Sequence, residues 1–195
     1  MIAIVDYDAG NIRSVTAALE RLGAEYVLTA DPEVLSRAEK VILPGVGSAD
    51  KAMDSLREKG LVDVLKNRRK PVLGICVGMQ IMCSRSEEGD CECMDIFDTT
   101  VRRFPPEAEV KVPHMGWNSI SNLDSKLFKG LSDGTYVYFV HSYFPALCSD
   151  TIATCRHGSV LFSAALKYEN FYGTQFHPEK SGDTGSQILK NFLAL

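Results

Sequence analysis

The stretch that most constrains the fold runs Lys70-Pro71-Val72-Leu73-Gly74-Ile75-Cys76-Val77-Gly78-Met79-Gln80. It reads as a short apolar strand, a sharp turn flanked by glycines with a cysteine at its apex, and then a helix. Gly74-Ile75-Cys76-Val77-Gly78 is the nucleophile-elbow pattern with cysteine in the serine place. A nucleophile at such a turn sits in strained backbone, and the turn closes only if its neighbours are small. A helix that follows points its N-terminal amides at the sulfur, favouring thiolate and the oxyanion formed when that thiolate attacks a carbonyl. The alternative is a structural cysteine buried in an ordinary strand-helix junction. The pentapeptide alone does not choose between the two.

Alternation of strand and helix surrounds this stretch. Ile2-Ala3-Ile4-Val5 is the continuous apolar run expected of a strand covered on both faces. Asn11 is a candidate cap for a helix with Ile12, Val15, Leu19 and Leu22 on one side, ended by Gly23. Tyr26-Val27-Leu28 and Val41-Ile42-Leu43 read as strands, with a short helix from Asp31-Pro32-Glu33 between them. One longer helix carries Met53, Leu56, Val64 and Leu65. Such alternation predicts a parallel sheet with right-handed crossovers. After about residue 105 the texture changes. Val110–Val112, Tyr136–Val140, Thr151–Thr154 and Ser163–Leu166 read as strands, Tyr168–Gly173 as a hairpin connection, and Ile188, Leu189, Phe192 and Leu193 as a final helix. Neither linker nor repeat separates the halves, so a single domain over 1–195 is expected. Ser84 to Pro106 is the least legible part.

The bulk numbers exclude several classes. A chain of 195 residues buries about 70% of its unfolded surface in one domain. With 45% hydrophobic and 24% charged residues, it has the composition of an ordinary globular protein. A net charge of −4 gives no basic footprint for nucleic acid. No apolar run approaches the roughly 20 residues that span a bilayer, and the chain opens directly on a strand with no signal-like segment. The cytoplasm is the expected location. The six cysteines read as reduced thiols in that setting. Cys83, Cys91 and Cys93 match no zinc spacing, so neither a metal nor a cofactor is expected.

The second informative stretch is Gly173-Thr174-Gln175-Phe176-His177-Pro178-Glu179-Lys180. Alternation along an extended strand places His177 and Glu179 on one side. A histidine serving as base to a cysteine needs a third group to fix its tautomer, which a carboxylate two residues on supplies. Alone, a His-x-Glu is usually a surface pair. Beside Gly-x-Cys-x-Gly it completes a nucleophile, a base and an orienter.

At these residues the chain resembles class I glutamine amidotransferases, whose Cys-His-Glu triad sits in a flavodoxin-like α/β fold. That fold has a mainly parallel central sheet flanked by helices, with antiparallel strands added in the second half. Pro44-Gly45-Val46-Gly47, Pro113-His114-Met115-Gly116-Trp117-Asn118 and Tyr138-Phe139-Val140-His141-Ser142-Tyr143 narrow the likeness. With His177-Pro178-Glu179-Lys180-Ser181 they resemble the glutaminase subunits of imidazole glycerol phosphate synthase. The Gly-Gly-Glu-Ser segment of the similar-sized glutaminases of pyridoxal phosphate synthesis is absent. Two departures stand out. Ser48-Ala49-Asp50 replaces a segment that usually leads to phenylalanine, and Cys91–Asp98 replaces a glycine-rich loop.

The resemblance implies that Cys76 attacks the glutamine carboxamide and forms a thioester, with His177 as base and Glu179 as its orienter. It implies oxyanion donors from the amide of Val77 and from the Val46 or Gly47 amide. Gly45, Gln80, Glu88, Ser142 and Tyr143 would hold the substrate. Trp117, Tyr138 and Lys180 would meet a (β/α)8-barrel cyclase in a heterodimer that uses the ammonia in histidine biosynthesis. The residues also admit plainer readings. Pro44–Gly47 suits a generic loop, Glu87-Glu88 a solvated pair, His141 a satisfied sheet histidine, Trp117 a core residue and Lys180 a solvated charge. Two other functions fit the same residues: a free-standing cysteine hydrolase of γ-glutamyl bonds, and a non-catalytic binding module on this fold.

Overall fold

The computed structural model describes residues 1–8, 11–108 and 110–195. β1 (Ile2–Val5) is buried at all four positions, as its unbroken apolar run requires. α1 (Ile12–Arg21) turns Val15, Ala18 and Leu19 inward. Asn11 stands at the cap position but its side chain makes no capping bond, and Gly23 ends the segment in the left-handed region at φ +66°. β2 (Tyr26–Thr29) leads to α2 (Pro32–Arg37), where Asp31 Oδ1 accepts the Glu33 N–H at 2.8 Å. β3 (Lys40–Leu43) follows.

The single long helix expected next is two, α3 (Ala49–Glu58) and α4 (Val62–Lys66). Gly60 separates them at φ +65°. β4 (Val72–Ile75) then enters the elbow, and α5 (Val77–Gln80) leaves it. At four residues α5 is one turn, too short for the dipole effect that a full helix would supply.

The poorly legible segment holds β5 (Cys83–Ser86), β6 (Cys91–Glu92) and β7 (Phe97–Arg103). β8 (His114–Ser121), β9 (Thr135–His141), β10 (Tyr143–Pro145), β11 (Thr151–His157), β12 (Val160–Tyr168) and β13 (Phe171–Thr174) come next. α6 (Gly182–Leu193) closes the chain, burying Ile188, Leu189 and Phe192. The strand expected over Val110–Val112 does not form. Pro113, next in line, has no N–H to give to a ladder.

Nine strands make one sheet in the order β2-β1-β3-β4-β13-β12-β11-β8-β9. From β2 to β13 the pairing is parallel, and from β13 to β9 antiparallel. The antiparallel part is thus as extensive as the parallel one. A four-stranded sheet, β10-β7-β5-β6, packs beside it. Its Phe97, Val101 and Phe144 join the apolar cluster that also contains β1, β4 and α6 residues. Among the described residues no helix is long and apolar enough to cross a membrane.

The pairing that matters most is β4 with β13. Gly74 lies opposite Gly173, and Ile75 opposite Thr174. Two parallel neighbours, far apart in sequence, therefore release their C-terminal ends side by side, the usual place for a site in such sheets.

Candidate active site

Cys76 follows the end of β4 with φ 54° and ψ −111°, a conformation that costs a side-chain-bearing residue about 1–3 kcal/mol. The surroundings hold it there. Cys76 N–H donates to Thr174 O at 2.7 Å. A Cβ on Gly78 would sit 1.9 Å from Leu43 O, and one on Gly74 2.7 Å from Gly78 O. Both flanking glycines are thus required by close backbone approach. Gly45 is equally tight, 2.3 Å from Gly78 N by the same measure. It presses the Pro44–Gly47 loop against the elbow from behind the cavity. The buried Tyr7 hydroxyl donates to Pro44 O, and Ser55 Oγ holds the Tyr7 carbonyl at 2.6 Å.

From the end of β13 come Gln175, Phe176 and His177. His177 and Glu179 do not share a strand as the alternation predicts. β13 stops at Thr174, and Glu179 lies on a 3₁₀ turn, Pro178–Lys180. Pro178 initiates that turn, and it brings Glu179 Oε1 to 2.8 Å from His177 Nδ1. Both side chains are almost fully buried. Burial alone would push the His177 pKa down, but the contacts with Cys76 and Glu179 outweigh it and lift the imidazole to about 10. Nδ1 faces the carboxylate, so Nε2 is left as the working atom, and it has no hydrogen-bond partner. The Cys76 thiol donates instead to Val140 O at 3.8 Å. The thiol nonetheless lies close enough to the imidazole to be the first of the contacts that raise its pKa.

These groups open on a cavity of about 260 Å³, just below the usual range of about 300–1,000 Å³ for ligand pockets. That volume suits a small molecule. Val46, Gly47, Val77, Gln80, Glu88, Ser142 and Tyr143 line it together with Cys76 and His177. Gly45 and Glu179 stand behind the wall. Glu88 is half-buried, and burial first, then the Asp50 charge, raise its pKa against the lowering effect of the Ala49 amide. That amide donates to Glu88 Oε2 at 3.0 Å, so one carboxylate oxygen caps α3 while the residue faces the cavity.

The buried Gln175 carries a link to which no local sequence pattern assigns a role. Its Nε2 reaches Cys76 Sγ at 3.6 Å, and its Oε1 accepts from Gln80 Nε2 at 3.0 Å. Its alternation with His177 and Glu179 is the one sequence signal that could have found it.

On the outer side of the triad, Trp117 and Tyr138 pair across β8 and β9 with ring centroids 6.1 Å apart, edge to face. Lys180 Nζ lies 6.0 Å over the Tyr138 ring. Trp117 is 55% exposed, so it is not a core residue, and the exposed Met115 and Tyr136 extend the patch. The patch is fastened to the catalytic turn. His177 N–H donates to Tyr138 O at 2.9 Å, and Tyr138 N–H to Ser181 Oγ at 2.9 Å. All six cysteines are free thiols. Among the described residues no three His, Cys, Asp or Glu side chains converge as metal ligands.

A strained cysteine and a buried His-Glu pair at the ends of adjacent parallel strands are the arrangement that cysteine-dependent acyl transfer requires. The family model described as "Glutamine amidotransferase class-I" matches residues 3–195, and the chain belongs to that family. It is 55% identical over 195 residues to the imidazole glycerol phosphate synthase subunit HisH of Bacteroides thetaiotaomicron, covering 100% of this chain and 99% of that one. It is 56% identical, with the same coverage, to the subunit of that name from Bacteroides fragilis. A crystal structure of a glutamine amidotransferase aligns over 100% of this chain and 98% of that one, with a TM-score of 0.77 at 19% identity. That likeness concerns the fold.

Proposed function

We infer that this chain is the glutaminase subunit of imidazole glycerol phosphate synthase, hydrolysing glutamine to glutamate and ammonia in histidine biosynthesis. The observation that carries the chemistry is the buried His177–Glu179 pair set beside Cys76 at the ends of β13 and β4. The whole-length likeness to the HisH subunits supports the pathway assignment.

The site performs the reaction in two acyl transfers. Cys76 and His177 share one transferable proton. Once the thiol turns from Val140 O, the raised pKa of His177 draws that proton from sulfur to Nε2, leaving a thiolate beside an imidazolium that Glu179 stabilises. The thiolate attacks the glutamine Cδ, and the amide of Val77, with that of Val46 or Gly47, receives the oxyanion. Collapse breaks the C–N bond, and the imidazolium protonates the departing nitrogen, releasing ammonia. Water, deprotonated by His177, then cleaves the thioester to glutamate. Gln80 and Glu88 hold the substrate, with the carboxylate of Glu88 suited to its α-ammonium.

The partner is a cyclase subunit of (β/α)8-barrel form, docked on Trp117, Tyr138 and Lys180, and the setting is the cytoplasm. The chain acts as one glutaminase domain and needs neither metal nor cofactor. Ammonia made without a waiting acceptor is lost, so the free chain should be nearly inactive. Glutamate release should rise steeply with a cyclase and its acceptor ligand, and less in Lys180→Ala. Full activity of the isolated chain, indifferent to any cyclase, would refute this coupling.

A further inference from the structure

Two histidines outside the triad lie at the cavity's edge, His141 at the end of β9, where it lines the cavity, and His114 at the start of β8 behind it. We propose that His141 is a positioning residue for the substrate. Held in one tautomer by His114, it fixes the Tyr143 carbonyl and, through it, the Gln80 carboxamide. Gln80 then presents its oxygen to the substrate. The proposal rests on reading the cavity as a glutamine site.

The hydrogen bonds run in one direction. His141 Nδ1 lies 2.7 Å from Tyr143 O. A carbonyl only accepts, so Nδ1 carries the proton and, in the neutral ring, Nε2 is an acceptor. It receives His114 Nδ1–H at 2.9 Å. His114 Nε2 in turn accepts from Asn118 Nδ2 at 3.1 Å. Asn118 cannot turn over, because its Oδ1 accepts Ser119 N–H at 2.8 Å and its Nδ2 also donates to Arg156 O at 2.9 Å. Every proton in the chain thus points from β8 towards the cavity.

At the inner end, Tyr143 O accepts a second bond, from Gln80 Nε2 at 2.9 Å. The other Gln80 amide proton goes to Gln175 Oε1. Both Gln80 protons are committed, so Oε1 is the atom left for a ligand, and it suits a donor such as an ammonium or amide N–H. His141, His114, Gln80 and Gln175 are all buried, where an unmatched donor is costly. Burial, first among the causes, pushes His141 down to about 3 and His114 to about 4, so both rings stay neutral and the direction holds.

The location explains the need. β9 ends at His141 in the nine-stranded sheet and β10 begins at Tyr143 in the four-stranded one. The chain changes sheets at the peptides that line the cavity. There a side-chain donor holds a carbonyl that regular ladder pairing does not.

The test compares alkylation of Cys76 by a diazo-ketone glutamine analogue with alkylation by iodoacetamide, which needs no glutamine recognition. His141→Phe removes the donor. Its reaction with the analogue should slow about tenfold, as for one lost hydrogen bond, with the iodoacetamide rate little changed. His141→Asn keeps an N–H near the Nδ1 position but loses the acceptor for His114. It should melt lower, much as His141→Phe does, yet recover most of the analogue rate. Equal analogue rates in wild type and His141→Phe would overturn the proposal. So would equal slowing by Phe and Asn, or equal slowing of both reagents. All rates are read with a cyclase and its acceptor ligand present. A wild-type chain that the analogue does not label at Cys76 under those conditions would overturn the glutaminase reading itself, and this proposal with it.

Discussion

The parallel half of the large sheet and the antiparallel half hold the same cavity by different means. On the β4 side, positions are set by backbone packed on backbone. Gly45, Gly74 and Gly78 leave no room for a Cβ, and Cys76 is pinned at a positive φ. On the β8–β9 side they are set by side chains, through the Asn118–His114–His141 bonds and the aromatic contacts of Trp117 and Tyr138. Packed backbone tolerates almost no added volume but is indifferent to pH. A chain of neutral histidines tolerates volume changes better, and it titrates. Cys76, the nucleophile we propose, whose direction of attack admits little error, sits on the backbone-built side. The histidines that orient the Gln80 carboxamide through Tyr143 O, and the exposed patch, sit on the other.

The largest effect should come from the nucleophile itself. Cys76→Ala should lower cyclase-stimulated glutamate release at least about 10⁴-fold, leaving the melting temperature near wild type. Because triad members act as a unit, adding His177→Ala should change little further. Residual activity near wild type would show that the elbow is packing and no more.

Next comes volume. In Gly78→Ala the new Cβ meets Leu43 O at 1.9 Å, an overlap that only backbone movement relieves. Overpacking a core typically costs about 1–3 kcal/mol. Here the obstacle is backbone on both sides, so the upper end or more is expected in chemical denaturation. A cost below about 0.5 kcal/mol, the scale of an ordinary surface change, would break the contrast between the halves.

Acidification should strike the other half. His114 and His141 are held neutral well below the value of 6.5 that they have when unfolded. Below that value the unfolded chain takes up protons that the folded one refuses. The stability they contribute is complete above pH 6.5 and drains as pH falls towards 4 and 3. One such histidine accounts for roughly 1 kcal/mol over the first pH unit. His141→Phe should show a shallower acid limb than wild type. His177 has the opposite sign. Its pKa is raised to about 10, so its contribution is complete below pH 6.5 and lost as pH rises towards 10. Identical acid limbs in wild type and His141→Phe would remove the titrating character assigned to the antiparallel half.

The two halves also differed in how much their sequence disclosed. Apolar runs such as Ile2–Val5 and Val72–Ile75 declare buried parallel strands because both faces are covered. The elbow declared itself through its glycines, since close approach admits no other residue. Legibility failed where partners are distant. His177 and Glu179 were expected on a strand, because two-residue alternation does not distinguish a strand from an extended residue entering a proline-led turn. The break at Gly60 was hidden inside a continuous helical periodicity. Cys83–Arg103 is legible only through its pairing with β10, far along the chain. The bonds from His114 and Gln175 follow from a register that no local pattern encodes.

The smallest effect is the sharpest probe of strain. Cys76 and Cys83 are seven residues apart and both buried, yet the same change should move them in opposite directions. At Cys76, glycine removes the conflict between a Cβ and φ 54°, which is worth about 1–3 kcal/mol. Against this stand the lost burial of a small side chain and the greater freedom of glycine in the unfolded chain, about 0.4–1 kcal/mol for the latter. The balance should leave Cys76→Gly inactive and more stable than wild type by up to about 1 kcal/mol. Cys83 lies in β5, in regular strand geometry and fully buried. There glycine relieves nothing, loses the packing of the thiol and costs about 1–2 kcal/mol. Paired urea titrations read both signs directly. Destabilisation at both cysteines would mean that the elbow stores no strain, and that Cys76 keeps its conformation without opposition from its own side chain.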